Sequence, residues 1–152
     1  MRTLTIFLAT GAYAGYIPWA PGTAGAAIGL ILGWLLFAPI WEHAPAASVM
    51  LFGVIFAGSC VVAGSAEKIF GEHDSAHIVI DEILGMIAAM FLLPVSWAWT
   101  AACFALFRLF DIIKPWPANR LDRVDSGAGV MLDDLAAGIY ANVVLQILRR
   151  VI

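Results

Sequence analysis

Ala46-Ala-Ser-Val-Met-Leu-Phe-Gly-Val-Ile-Phe-Ala-Gly-Ser-Cys-Val-Val-Ala-Gly-Ser-Ala66 carries no charged residue from end to end. About 20 apolar residues are what a helix needs to cross the hydrocarbon core of a bilayer. The chain around this run has 152 residues, enough for one domain, residues 1–152. It is 62% hydrophobic and 12% charged, with a mean hydropathy of +0.93. Soluble domains hold about 45–50% apolar and about 25% charged residues. Too few polar groups remain here to cover a soluble fold, so the bilayer is the solvent that fits. The net charge of −3 argues against wholesale nucleic-acid binding, which needs a basic surface.

Outward from this span, Glu42-His43-Ala44-Pro45 reads as a tight turn from a preceding span over residues 24–41. A third apolar run, 83–93, stops at Pro94, which lacks a helix donor and clashes with the turn before it. It is short, and is expected to pack inside protein or to be extended by residues 78–80. A fourth span covers 96–112 and stops before Pro115; a fifth covers 131–148. The expected fold is all-α: a polytopic membrane bundle of about five hydrophobic helices. Alternating passes place the N-terminal segment and the 67–82 and 114–130 loops on one face, with Arg2, Lys68, Lys114, Arg120 and Arg123. Only Arg149 and Arg150 lie opposite, so the positive-inside rule makes the charged face cytoplasmic. Arg2, residues 3–9 and Ala12-Tyr13-Ala14 mimic a signal peptide, but the apolar run is at the lower limit of about 7–15 residues. The segment is read as retained. Cys60 and Cys103 lie in apolar runs and read as buried, reduced thiols.

Two acidic pairs enter apolar helices at the charged face. Asp81-Glu82 precedes Ile83-Leu-Gly85, and Asp133-Asp134 precedes Leu135-Ala-Ala-Gly138. A single acid there would be an ordinary response to the helix macrodipole. Four carboxylates on two helix ends repel one another unless a cation sits between them. A hard divalent ion, Mg²⁺ above all, takes one or two carboxylates plus substrate phosphate. Gly85 and Gly138 each lie four residues beyond an acid, on its helical face, where another backbone could approach.

Phe107-Arg-Leu-Phe-Asp-Ile-Ile-Lys-Pro-Trp-Pro117 places Arg108, Asp111 and Lys114 three apart, in one polar stripe. This is either a local ion-pair ladder or a phosphate clamp, which Arg and Lys commonly build. Pro18-Trp-Ala-Pro-Gly-Thr-Ala-Gly25 is a Pro/Gly entry turn. Its Gly22, Thr23 and Gly25 could also offer backbone N–H groups to an anion. His73 and Asp74 lie in the polar loop before Asp81, and His77 is four residues from it. All three could support the site or be solvated loop residues. His43 falls on the opposite face.

In order and spacing these pieces resemble the phosphatidylglycerophosphatase A family over nearly the whole chain. They are Ala20-Pro-Gly-Thr-Ala-Gly25, His73-Asp74 with Ile78-Val-Ile-Asp-Glu82 and Gly85, Phe107-Arg108 with Asp111, Lys114-Pro-Trp-Pro117, Asp122, and Gly129-Val-Met-Leu-Asp-Asp134 with Ala137-Gly138. Ala26 stands where family members often have Ser, and Ser126-Gly127 where a paired Gly is usual. The resemblance implies a Mg²⁺-dependent phosphatase of the bacterial inner membrane, converting phosphatidylglycerophosphate to phosphatidylglycerol and phosphate. On this reading the metal ligands come from Asp81, Glu82, Asp111, Asp133 and Asp134, with Asp81, Asp111 and Asp134 catalytic. Arg108, Lys114, Gly22, Thr23 and Gly25 hold the phosphoryl group; His73, Asp74, His77 and Asp122 support. Water is preferred to an aspartate as the attacking group, and the lipid substrate stays in the bilayer. The alternative is a cation or proton-coupled transporter, since intramembrane acids also mark ion paths.

Overall fold

The computed structural model describes residues 2–121 and 126–151. The described residues form helices and turns with no strand. The helices are α1 (Arg2–Ala9), α2 (Pro21–His43), α3 (Pro45–Phe70), α4 (Ile80–Ala89), α5 (Trp97–Ile113), α6 (Ala118–Leu121) and α7 (Gly127–Val151), with a short 3₁₀ turn at Ala14–Tyr16. The all-α bundle is therefore as expected, with seven helices among the described residues rather than about five.

Local chemistry sets the helix ends. Pro21 and Pro45 open α2 and α3, where a missing N–H costs nothing. Gly71, left-handed at φ 77°, closes α3, and its N–H returns to the Glu67 carbonyl at 2.8 Å. Ser96 caps α5 by accepting from the Trp99 N–H. Inside α2, residues Gly33–Phe37 widen into a π-helical turn. Pro39 explains it: its ring crowds the carbonyl four residues back, at Leu35, and the turn opens to make room.

Three helices are long and apolar enough to cross a membrane: Pro21–His43, Pro45–Phe70 and Gly127–Val151. The third apolar run packs inside the protein, as its shortness implies, and its helix starts at Ile80. Helix α4 has ten residues, about 15 Å of rise against a hydrocarbon core of about 30 Å. It does not face lipid; Asp81, Ile83, Leu84, Gly85, Met86, Ile87 and Ala89 are buried. Its neighbours are α2 and α7, which approach to backbone contact. A Cβ on Gly29 would collide with the Ile83 backbone, and one on Gly138 with the Gly85 carbonyl oxygen. Small residues permit such approaches in membrane helices.

A helix this short leaves its last carbonyl, Ala89, and those of the turn after it, Phe91 and Leu92, in need of donors. Helix α7 supplies the donors. Asn142 Nδ2 donates to the Ala89 and Phe91 carbonyls at 2.9 and 2.7 Å, Gln146 Nε2 to Phe91 at 3.0 Å, and Arg149 Nη1 to Leu92 at 2.7 Å. These donors recur at helical spacing and so share one face of α7. Arg149 thus has a capping role at the end where its charge counted against the orientation rule. Asn142→Leu is expected to orphan the Ala89 carbonyl and lower stability by about 1–2 kcal/mol. Thermal unfolding in detergent checks this; an unchanged Tm would remove Asn142 from the account.

Helices α2, α4 and α7 begin, and α3 and α5 end, at one end of the bundle. Contacts between Gly22 and Glu82, Gly64 and Gly127, and Lys114 and Asp133 fix this grouping. The acidic pairs lie there, and the 91–96 turn closes the other end.

Candidate functional site

Helix α4 starts at Ile80, so Asp81 and Glu82 occupy its first turn. Helix α7 starts at Gly127, which puts Asp133 and Asp134 nearly two turns inside it. The Gly85–Gly138 crossing brings the two helices so close that a Cβ on Gly85 would lie 2.7 Å from the Asp134 carbonyl oxygen. As a result Asp81, Glu82 and Asp134 each present a carboxylate oxygen within 4.8 Å of the others. Asp81 and Asp134 are almost wholly buried, 7% and 3% exposed. Asp81 Oδ1, Glu82 Oε2 and Asp134 Oδ2 are buried and have no hydrogen-bond partner among the described residues.

Asp111 of α5 lies outside the trio but near enough to Glu82 and Asp134 to act on both electrostatically. Arg108, one turn earlier, bonds Asp111 Oδ2 through Nη1 at 2.5 Å. Its guanidinium lies beside the first turn of α2, where a Cβ on Gly22 would sit 3.0 Å from Nη1 and would collide with Glu82 Oε1. Only a residue without a side chain fits between them. Thr23 is exposed in the same turn, and Gly25 packs on Val79 and the Glu82 Cβ.

The stripe Arg108–Asp111–Lys114 is divided rather than continuous. Lys114, left-handed at φ 45° before Pro115, reaches across to Asp133 Oδ2 at 2.5 Å. Asp133 is thus engaged with a cation of the chain, and it falls outside the three-carboxylate group.

The histidines go elsewhere. His77 bonds the Gly15 carbonyl through Nδ1 at 3.0 Å and stacks on Tyr16 at 4.7 Å. It anchors the N-terminal turn and does not reach the acids. His73 Nδ1 meets Glu67 Oε1 at 2.5 Å, and the Asp74 N–H donates to the same oxygen at 3.1 Å. Asp74 is near enough to Asp81 to act on it electrostatically. Glu67, not singled out in the sequence, shapes this loop; its only signal is a place four residues before the Gly71 cap. Asp122 lies outside the described residues.

Buried carboxylate oxygens that converge without donors could hold a hard cation, and oxygen ligands of this kind are those that Mg²⁺ takes. The Arg108 guanidinium and the free N–H groups at the start of α2 offer anion contacts beside it. A cation site next to an anion site is what a phosphate ester needs.

Residues 7–149 match the family described as phosphatidylglycerophosphatase A. A Haemophilus influenzae protein named phosphatidylglycerophosphatase A is 39% identical, over 91% of this chain and 84% of its own length. The Escherichia coli protein of that name is 34% identical, over 91% and 79%. A Bacteroides thetaiotaomicron protein, provisionally named a phosphatidylinositol-3-phosphatase, is 37% identical over 98% and 96%. No solved structure matches. With helices fit to span a bilayer and a match running almost from end to end, this chain is a membrane protein that belongs to the phosphatidylglycerophosphatase A family.

Proposed function

We propose that the protein is a Mg²⁺-dependent lipid phosphatase that hydrolyses phosphatidylglycerophosphate to phosphatidylglycerol and inorganic phosphate. The observation that carries the reading is the trio Asp81, Glu82 and Asp134, with buried unpartnered oxygens, beside Arg108. A phosphomonoester dianion cannot approach these carboxylates alone. A bound Mg²⁺ would offset most of their charge and withdraw charge from the phosphoryl oxygens.

The rest of the site follows from the chain's own groups. Asp81, Glu82 and Asp134 would hold the ion, with Asp111 as a further ligand. Arg108 would bind phosphoryl oxygens through the guanidinium edge not used by Asp111, and Asp111 keeps that edge aimed. Gly22 and Thr23 would add backbone N–H groups from the α2 terminus. Lys114, steered by Asp133, would add a second positive charge at the rim. Phosphate-monoester hydrolysis is among the slowest uncatalysed reactions, so charge stabilisation of this extent is required. Water is the preferred nucleophile; trapping a phosphorylated aspartate would overturn that choice. Lys68, Lys114 and Arg120 lie towards the acidic end, which supports a site facing the cytoplasm at the inner membrane.

Purified protein is expected to release phosphate from phosphatidylglycerophosphate with Mg²⁺ present and to stop when the ion is chelated. Phosphatidic acid and phosphatidylinositol 3-phosphate, offered in parallel, test the substrate. Faster release from either one would overturn the assignment to phosphatidylglycerophosphate. Full turnover after chelation would overturn the ion. Cation flux in liposomes without phosphatase activity would favour the transporter.

A further inference from the structure

Two stretches of chain lead into the site: the approach to α4, which ends in Asp81 and Glu82, and the approach to α2, which ends in Gly22 and Thr23. His77 joins them. Its Nδ1 bonds the Gly15 carbonyl at 3.0 Å. A carbonyl only accepts, so Nδ1 carries the proton. The ring stacks on Tyr16 at 4.7 Å, with Phe70 from the end of α3 at 5.7 Å. The backbones meet as well, since a Cβ on Gly15 would collide with the His77 carbonyl oxygen. Two residues on, the Val79 N–H donates to the Ala9 carbonyl at 2.9 Å.

The turn that His77 grips is tightly built. Gly11, Ala12 and Tyr13 all have positive φ, 55°, 54° and 71°, a conformation uncommon for residues other than glycine. The buried Thr10 hydroxyl donates to the Ile6 carbonyl and accepts from the Tyr13 N–H. The Gly15, Tyr16 and Ile17 N–H groups return to the Thr10, Tyr13 and Ala14 carbonyls. With its bonds closed on itself, the turn shifts as a unit. Only Pro18, Trp19 and Ala20 separate Ile17 from α2, and the prolines at 18 and 21 have a fixed φ. A shift of the turn is therefore passed on to Gly22 and Thr23. The packing of α2 on α4 does not prevent this. Its close backbone contacts, Gly25 on Val79 and Gly29 on Ile83, hold the helix from its second turn inward. The first turn lies outside them, and Ala20 gives it no side-chain cap. Such helix ends fray.

We propose that His77 is a positioning residue: by holding residues 10–17 on the approach to α4, it keeps the first turn of α2, with Gly22 and Thr23, in place beside Arg108. The inference rests on the lipid-phosphatase reading and adds to it a residue that touches neither ion nor substrate. What His77 contributes is preorganisation. Where the binding-competent arrangement is only partly populated, affinity falls by that fraction. The ion site is spared, because the α4–α7 crossing sets Asp81, Glu82 and Asp134.

His77 is exposed, so it can be replaced without opening the core. His77→Phe keeps an aromatic ring on Tyr16 and removes the donor. His77→Asn places Nδ2 where Nδ1 was and keeps the donor. Two titrations in detergent read the result. One is the Mg²⁺ concentration that gives half the rise in Tm. The other is the inhibition constant of inorganic phosphate, the product, at saturating Mg²⁺ with phosphatidylglycerophosphate as substrate. His77→Phe is expected to raise the phosphate constant roughly fivefold, the scale of one hydrogen bond, and to leave the Mg²⁺ half-point unchanged. His77→Asn is expected to match the wild type in both. Hydrogen exchange gives a readout independent of turnover: in His77→Phe it should quicken at residues 10–17 and 22–23 and stay unchanged at 83–89. A folded His77→Phe protein with the wild-type phosphate constant overturns the positioning role. So does one that fails to fold, or whose Mg²⁺ response weakens in step with phosphate, since His77 would then be a general fold contact. A His77→Asn protein that loses phosphate as the Phe variant does overturns the Gly15 bond as the cause. If the wild type is neither stabilised by Mg²⁺ nor inhibited by phosphate, the phosphatase reading fails first and takes this inference with it.

Discussion

Asp134→Asn is expected to lower phosphate release by roughly a thousandfold, the upper range for loss of one group stabilising charge in a transition state, while the bundle stays folded. Asp134 lies near enough to Asp111 and Glu82 for their charges to act on it and belongs to the 4.8 Å trio. The amide has the same shape, so the Gly85–Gly138 packing beneath it is untouched. What changes is charge. Without an ion, Asp134 adds repulsion to Asp81, Glu82 and Asp111, and the amide relieves it. The variant should therefore unfold at a Tm equal to or above wild type in chelator. Mg²⁺ should raise the wild-type Tm, because an ion that binds only the folded state stabilises it. It should raise the Tm of the Asp134→Asn protein much less. Asp81→Asn should behave alike. Near-wild-type turnover of both variants at saturating Mg²⁺ would show that the site is misplaced. A large fall in Tm in chelator would make the carboxylates structural.

The membrane character was legible because one uncharged run suffices for it, and helix ends were legible where proline or glycine marks them. Helix α4 was harder. Pro94 shows where its run stops, but only the packed structure shows that Asn142, Gln146 and Arg149 cap it. Those residues are more than 50 positions away, and nothing local links them to Ala89 or Phe91. Arg149 consequently reads in the sequence as a charge voting on topology.

The spacing rules hold only inside helices. His77 is four residues before Asp81, yet α4 begins at Ile80, so the two never share a helical face. Lys114 is three residues after Asp111, but the left-handed turn before Pro115 swings it towards α7. The Glu67–His73 contact crosses the Gly71 reversal, where no periodicity applies. The acidic pairs were visible as an electrostatic oddity. That Asp81, Glu82 and Asp134 converge while Asp133 turns to Lys114 is decided by how α4 and α7 cross.

That crossing supplies the second large effect. Gly138→Ala is expected to destabilise the protein by about 3 kcal/mol, the high end for overpacking a close-packed contact. It should also cost about a hundredfold in turnover, as a misplacement of about 1 Å can. Alanine in a helix normally gains about 0.5–1 kcal/mol over glycine, so the expected sign opposes the intrinsic preference. The cause is the Gly85 carbonyl oxygen, which occupies the space a Cβ at 138 needs, with the Ala88 Cβ 3.3 Å away. Backbone cannot swing aside as a side chain can. Helix α4 is also pinned at both ends, by the Val79 N–H on the Ala9 carbonyl and by the α7 donors at Ala89 and Phe91. The two helices must separate, and Asp134 moves away from Asp81 and Glu82. Gly53 on α3 provides the contrast, since a Cβ there meets nothing within 4 Å. Gly53→Ala should hold or slightly raise the Tm and keep full activity. Thermal unfolding in detergent and phosphate release decide the matter. If Gly138→Ala matched Gly53→Ala in both, the α4–α7 contact would not be what holds the carboxylates together.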